Sequence, residues 1–319
     1  MSIVLVSVVI PCYYSEKTVA QVVDQTRRVL VDAGYDYEFV LVNDGSTDGT
    51  FAQIQELCHK DPCVVGLDCA KNMGQHNAIM AGLVRTRGDA VLLMDDDMQT
   101  HPTQVVKILK ALEESGCDVV FAQWPEHKEA LWRRLGSRFQ AWTVRVLTKR
   151  PKDVYSSNFF AMRRHVRDEV VRYRGPYIYI QGLVFRATDS VCNVEVEHFA
   201  RQEGRSGYTL KSLVRLWSTV LGFSLAPLRM ALWLGMIACA LGLFGAVALV
   251  VQHFVDPVLV EGWTSLMVLS LVLGGLNLAF LGLIGEYLGR TFMTVSNAPQ
   301  FALRTVLDAR DSKGEDHAA

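Results

Sequence analysis

Ile3 to Ile10 is a β-branched apolar run that stops at Pro11, and the polar turn Cys12, Tyr13, Tyr14, Ser15, Glu16 leads into apolar residues at helical spacing from Thr18 to Val31. The same succession of strand, turn and helix follows twice more. Tyr37 to Val42 ends in Asn43 and Asp44, turns through Gly45 to Gly49, and continues as a helix from Thr50 to His59; Val64 to Asp68 leads through Ala70 to His76 into a small-residue helix from Asn77 to Thr86. A fourth apolar run, Val91 to Met94, ends in three consecutive carboxylates, Asp95, Asp96 and Asp97, followed by Gln99 and Pro102. Val105 to Glu114 then reads as a helix and Asp118 to Ala122 as a strand. Such alternation predicts an α/β domain, a parallel sheet with helices on both faces, whose ligands bind outside the carboxyl ends of the strands. Every polar cluster named falls at that edge.

After Trp124 the pattern changes. Leu131, Leu135, Phe139, Trp142 and Val146 recur at helical spacing, and the stretch from Glu126 to Lys152 holds eight Lys or Arg against Glu126 and Glu129 alone. An amphipathic helix with aromatic and basic residues suits an anionic membrane surface, and Thr209 to Phe223, with Lys211 and Arg215 and no acid, reads as a second one. An ordinary surface helix fits the periodicity of the first equally well. Ala231 to Val251 and Trp263 to Gly285 are free of charge, and each meets the length of about 20 residues needed to span a bilayer. Their connecting loop (His253, Asp256, Glu261) lacks Lys and Arg, whereas Arg229 and Arg290 flank the outer ends, so both termini and the catalytic domain are expected in the cytoplasm.

The acidic triplet is the strongest chemical signal. Carboxylates packed this closely repel one another, and the usual relief is a divalent cation with oxygen ligands from Asp and from an amide such as Gln99. An isolated acidic turn is more often simply solvated; here it closes a series of polar clusters at one sheet edge. Asp44 at its strand end can accept hydrogen bonds from a base or ribose, Ser46 and Asp48 suit turn and cap roles, Lys71 can meet a phosphate, and His76 reads as structural. No GxGxxG fingerprint is present, which argues against the usual dinucleotide site; the pattern instead suits a nucleotide diphosphate held through a metal.

Composition adds bounds. The 319 residues are 50% hydrophobic with a net charge of -1, so nothing global argues for a nucleic-acid partner. The seven cysteines form no CxxC pair and are odd in number, so neither a zinc site nor a disulfide framework is expected, and a reducing compartment fits. No basic segment precedes the first apolar run, so no signal peptide is expected.

VVIPCYYSE, VNDGSTDGT, KNMGQHNAIMAG, GDAVLLMDDDMQTHP, ARQEGRSGY, FSLAPLR and GLIGEYLGR resemble, in order, the motifs of family 2 glycosyltransferases that act on polyprenyl phosphates. The resemblance implies a Rossmann-like GT-A fold with amphipathic interfacial helices and a C-terminal two-helix transmembrane hairpin, in a protein of the inner membrane. It divides the chain into a nucleotide-sugar-binding core (1–125), an acceptor-binding and membrane-interface part (126–224), two transmembrane helices (225–291) and a cytoplasmic tail (292–319). It implies that Pro11, Tyr13, Glu16, Asp44, Lys71 and Asp95 hold the nucleotide and that Asp95, Asp97 and Gln99 bind Mg2+ or Mn2+. Asp97, Arg133, Ser137 and Arg201 would be catalytic, with Arg133 and Ser137, one helical turn apart, on the acceptor phosphate. The partners implied are a nucleotide sugar, a polyprenyl phosphate such as undecaprenyl phosphate and the bilayer; self-association is left open. Tyr14 stands where the family usually has Asn, Ser157-Asn158 where many relatives carry an Asp, and Gly207 where a Lys usually follows the serine. Another glycolipid acceptor, or a scaffold without catalysis, are the alternatives.

Overall fold

The computed structural model describes residues 3–97, 102–124, 154–197, 262–296 and 299–310, with scattered helical positions between 228 and 251. The first half follows the sequence pattern closely: β1 (Leu5–Cys12), α1 (Val19–Asp32), β2 (Asp36–Asn43), α2 (Thr50–Lys60), β3 (Val64–Cys69), α3 (Gln75–Leu83), β4 (Ala90–Leu93), α4 (Thr103–Glu114) and β5 (Val119–Gln123). Then come β6 (Phe160–Arg163), α5 (Arg164–Val171), α6 (Ile180–Ala187), β7 (Val191–Glu195), the long helix α7 (Trp263–Val295) and β8 (Leu303–Leu307).

The strands form one sheet of eight in the order β7-β5-β6-β4-β1-β2-β3-β8. It is mixed rather than purely parallel, because β6 runs antiparallel between β4 and β5 and β8 antiparallel beside β3. The central strands are apolar on both faces, as strands covered on both sides by helices must be. Val8 and Ile10 of β1, Phe39 and Leu41 of β2 and Leu92 of β4 pack with α1, α2 and α4; the alternate residues Val9, Val40, Val42, Val91 and Leu93 pack with α3, α5 and α6.

Cys117, just before β5, and Cys192 of β7 form a disulfide across 75 residues, with their Cα atoms 6.2 Å apart. No disulfide framework was expected, and this single bridge is not one that cysteine number or spacing suggests. The parallel pairing of β5 with β7 brings the two together, and spacing along the chain carries no trace of it.

α7 is 33 residues long, about 50 Å at the rise of an α-helix. Leu278, Leu281, Leu288 and Phe292 are exposed along it. Its far end is seated on the sheet domain, where the Arg290 guanidinium lies 4.5 Å from the centroid of the Tyr177 ring and 2.7 Å from Glu286. Among the described residues, no helix is long and apolar enough to cross a membrane. Residues 231–237 of the first expected span are helical, as are the scattered positions described beyond them, whereas both expected interfacial helices lie outside the described residues. The segment expected as a tail contributes β8 to the sheet.

Candidate active site

β1, β2, β3 and β4 all end at one edge, and the turns that leave them enclose a cleft of about 410 Å³. Its walls are Pro11 and Cys12 at the end of β1 with Tyr13 beyond it, Asp44 after β2, Asn72 and Gly74 before α3 with Gln75 at its start, Asp95, Asp96 and Asp97 after β4, and Asn158 before β6. A smaller adjoining hollow of about 190 Å³ is lined by Tyr13 to Thr18 with Asp48, Asp96 and Asp97. The apolar strand of the acidic stretch ends at Leu93, so the three carboxylates stand on the loop beyond it rather than on the strand itself.

The three acids diverge. Asp96 turns toward the first loop, where its carboxylate accepts the Ser15 hydroxyl and the Tyr13 N–H. Burial raises its pKa, the two hydrogen bonds oppose that, and the neighbouring charge of Asp97 adds to the rise. Asp95 turns to the other side and accepts from the Gln75 amide at 2.7 Å. Asp97 lines both hollows.

Asp44 is buried, and its two oxygens accept the N–H groups of Met73 and Gly74 at 2.7 and 3.0 Å. Burial raises its pKa against those two bonds. The turn after it depends on glycine: Gly45 has φ of 70°, and a Cβ there would sit 2.5 Å from the Asn72 nitrogen. Glu16 lines the smaller hollow, accepts the Gly49 N–H at 3.1 Å and so closes the entry to α2. Lys71 stands exposed on the loop before α3, outside the walls of the cleft. His76 packs edge-on to Tyr179 at 5.3 Å, and burial pushes its pKa down to about 4, as a structural histidine requires.

Of the pair Ser157-Asn158, only Asn158 reaches the cleft. Ser157 is buried and donates to the Phe159 carbonyl at 2.8 Å. Gln181 of α6, also buried, donates from Nε2 to the Ser157 carbonyl at 3.4 Å and to Asn158 Oδ1 at 2.7 Å. A carbonyl can only accept, so Gln181 must present its NH2 on that side; Asn158 must then answer with its oxygen, and its own NH2 is turned elsewhere. Gln181 is a residue sequence reasoning passed over, since a glutamine on a helix carries no motif.

The structure thus brings Pro11, Tyr13, Asp44, Asp95 and Asp97 to one cleft and puts Glu16 on its margin. Gln99, Arg133, Ser137 and Arg201 lie outside the described residues. Among the described residues, no group of three or more His, Cys, Asp or Glu is placed to hold a metal. Asp95 and Asp97 nonetheless offer the hard oxygen donors of a Mg2+ or Mn2+ site that uses one or two carboxylates and takes its remaining ligands from a bound diphosphate.

The chain is similar over nearly its whole length to enzymes named undecaprenyl-phosphate 4-deoxy-4-formamido-L-arabinose transferase. That of Pseudomonas aeruginosa is 31% identical, over 97% of this chain and 92% of the relative. That of Proteus mirabilis is 28% identical, over 96% and 94%. Among solved structures, glucosyl-3-phosphoglycerate synthase from Mycobacterium tuberculosis, crystallised with Mn2+, UDP and glucosyl-3-phosphoglycerate, superposes with a TM-score of 0.51 at 21% identity, covering 68% of this chain and 78% of that one, which establishes the shared fold. The profile of Glycosyl transferase family 2 matches residues 7–172, the part that builds the cleft, and the chain belongs to that family.

Proposed function

We propose that this glycosyltransferase moves a sugar from a nucleotide sugar, UDP-linked, to the phosphate of a polyprenyl phosphate, undecaprenyl phosphate, at the cytoplasmic face of the membrane, with inversion at the anomeric carbon. The observation that carries the reading is the cleft itself: a nucleotide-sized hollow at the carboxyl ends of β1 to β4, rimmed by the exposed ring of Tyr13 and floored by three carboxylates. The names of the near-full-length relatives support the acceptor, and the neighbour crystallised with UDP and Mn2+ supports the donor.

In this reading the Tyr13 ring and Asp44 hold the nucleoside end, with Pro11, Glu16 and Lys71 around it. Asp95 and Asp97, with Gln99, hold Mg2+ or Mn2+, which when bound offsets the negative charge growing on the departing diphosphate. Gln75 keeps Asp95 aimed at the cleft, and Ser15 and Tyr13 occupy the Asp96 carboxylate at the first loop. Arg133, Ser137 and Arg201 receive the acceptor phosphate. A phosphate monoester has a second pKa of about 6, so the nucleophile is already ionised near neutral pH, and Asn158, which cannot take a proton there, need not act as a base.

The hairpin of two spans, 231–251 and 263–285, belongs to the same proposal. Its support is topological: the chain leaves the sheet after β7 and returns to it as β8. A chain that starts and ends in one domain crosses a bilayer an even number of times. The exposed leucines of α7 are the surface that lipid would cover.

The test is mass spectrometry of detergent-purified protein with undecaprenyl phosphate, Mn2+ or Mg2+ and a panel of UDP-, GDP- and dTDP-sugars. A lipid heavier by one sugar residue, absent with EDTA and absent for Asp97→Ala, is the expected result. Donor consumed only when a different glycolipid is supplied would overturn the acceptor, and equal product from wild type and variant would overturn the metal role.

A further inference from the structure

β8 reaches the sheet edge after α7 and is fastened at three points. Gln300 donates to the carbonyls of Tyr173 and Gly175 at 2.7 and 2.9 Å. Arg310 pairs with Glu38 and Asp308 at the amino ends of the strands. Arg304, between them, donates to Asp68 at 3.2 Å and to the Ala70 carbonyl at 3.1 Å, and this fastening leads into the cleft.

Asp68 is buried near the end of β3, and its other oxygen accepts from Asn43 Nδ2 at 2.7 Å. Asn43 ends β2, and its Oδ1 accepts the Ser46 N–H at 3.2 Å. The Ser46 hydroxyl oxygen in turn accepts the Tyr14 N–H at 3.1 Å. The direction of each link is set by a group with one role. Guanidinium and backbone N–H only donate, and an ionised carboxylate only accepts, so the Asn43 amide cannot flip without losing both its bonds. The series runs from the C-terminal edge strand to the two turns that supply Asp44 and Tyr13 to the cleft.

We infer that Asp68 and Arg304 are positioning residues for the nucleotide half of the cleft, which makes β8 a working part of the site although Arg304 lies 236 residues after Asp68 in the chain. The inference rests on reading the cleft as a nucleotide-diphosphate site. Neither residue lines the cleft; both act through Asn43. Arg304 is 65% exposed, so its ion pair adds little to stability, and its loss should appear in ligand binding instead.

The experiment is calorimetric titration of the full-length, detergent-solubilised protein with UDP, GDP and dTDP in the presence of Mn2+, alongside thermal melting. Arg304→Gln and Asp68→Asn should weaken the tightest of these nucleotides about 3- to 10-fold, the worth of one hydrogen bond. Arg304→Lys, which restores the charge at Asp68, should recover most of that loss. Arg304→Gln should melt within about 2 °C of wild type. Arg310→Gln, which loosens the same strand at its far end, should melt lower and bind nucleotide as wild type does. Unchanged affinity in Arg304→Gln, or an equal loss in Arg310→Gln, would overturn the positioning role. Wild-type protein with no affinity for any of the three would overturn the nucleotide reading beneath it.

Discussion

The sheet carries a carboxylate site at each end of its strands, and the two are built oppositely. At the amino ends, Glu38 of β2 accepts the Ser7 hydroxyl and the Arg87 N–H and is paired with Arg310, which Asp308 holds in place at 2.6 and 2.7 Å. At the carboxyl ends, the partners of Asp96 are the neutral Ser15 hydroxyl and Tyr13 N–H, and the charge that acts on it is the like charge of Asp97. The first acid is neutralised from within the chain. The second belongs to a triplet gathered at a cleft, where the proposed function has a divalent cation supply the opposite charge. Burial alone therefore does not mark a functional acid; what marks it is the sign of the charges brought near it.

Removing a carboxylate should then act differently at the two ends. Asp97→Ala is expected to lower sugar transfer about 1000-fold, the several kcal/mol that a metal contributes to such a step, while its melting temperature stays level or rises because Asp96 loses a like-charged neighbour. Glu38→Ala is expected to cost about 2–3 kcal/mol in urea unfolding, since it removes the acceptor of the Ser7 hydroxyl and the Arg87 N–H and one of the two carboxylates paired with Arg310, while nucleotide affinity of the folded protein is unchanged. A Glu38 variant of full stability would break the contrast at one end, and a poorly folded Asp97→Ala at the other.

His76 sharpens the contrast by a smaller amount, because it is a buried group kept neutral. Burial lowers its folded-state pKa from 6.5 to about 4. Between those values the unfolded chain binds a proton that the folded one does not, so stability is full above pH 6.5 and declines as pH falls toward 4, by up to about 3 kcal/mol. His76→Leu should remove that part of the decline, seen as a flatter dependence of the urea midpoint on pH between 7 and 4.5. An unchanged slope would mean that other groups set it.

How much of this was legible in the sequence depends on chain distance. β1 to β4 were readable because each is a β-branched run closed by turn residues, and the acids, Asp44 and Tyr13 were placed at one edge by that pattern alone. β6 is four residues long, too short for a period to show, and it enters antiparallel. β8 alternates only weakly in burial, and Asp68 and Glu38, the partners of Arg304 within it and of Arg310 just beyond it, lie 236 and 272 residues earlier. Pairings of that separation leave no local mark, and the Cys117–Cys192 bridge is hidden for the same reason. Of Ser157 and Asn158, nothing in the sequence says which faces the cleft; Gln181 and the buried Ser157 hydroxyl decide it.

Tyr14 gives the smallest expected effect and the finest test of the carboxyl end. It is the one non-glycine residue with positive φ among the described residues, at 55°, a region that costs an ordinary side chain about 1 kcal/mol and that Asn visits with less strain. The position where the family usually has Asn is therefore a left-handed one, and the departure bears on the backbone as well as on ligand contacts. Two contacts offset the strain: the Tyr14 hydroxyl meets Thr47 Oγ1 at 3.0 Å, and its ring packs edge-on to Tyr13 with centroids 4.6 Å apart. Both are exposed, and an exposed aromatic pair is worth about 0.5 kcal/mol at the low end of its range. Tyr14→Asn should thus gain about 0.5 kcal/mol in urea unfolding, while Tyr14→Phe, which keeps the strain and loses only the hydroxyl contact, should lose a few tenths at most. Because the Tyr13 ring gives up its edge partner in Tyr14→Asn, nucleotide affinity should fall slightly as stability rises. A variant that loses more than about 1 kcal/mol would show that the aromatic pair outweighs the backbone, and that this rim is held by its rings rather than by its turn.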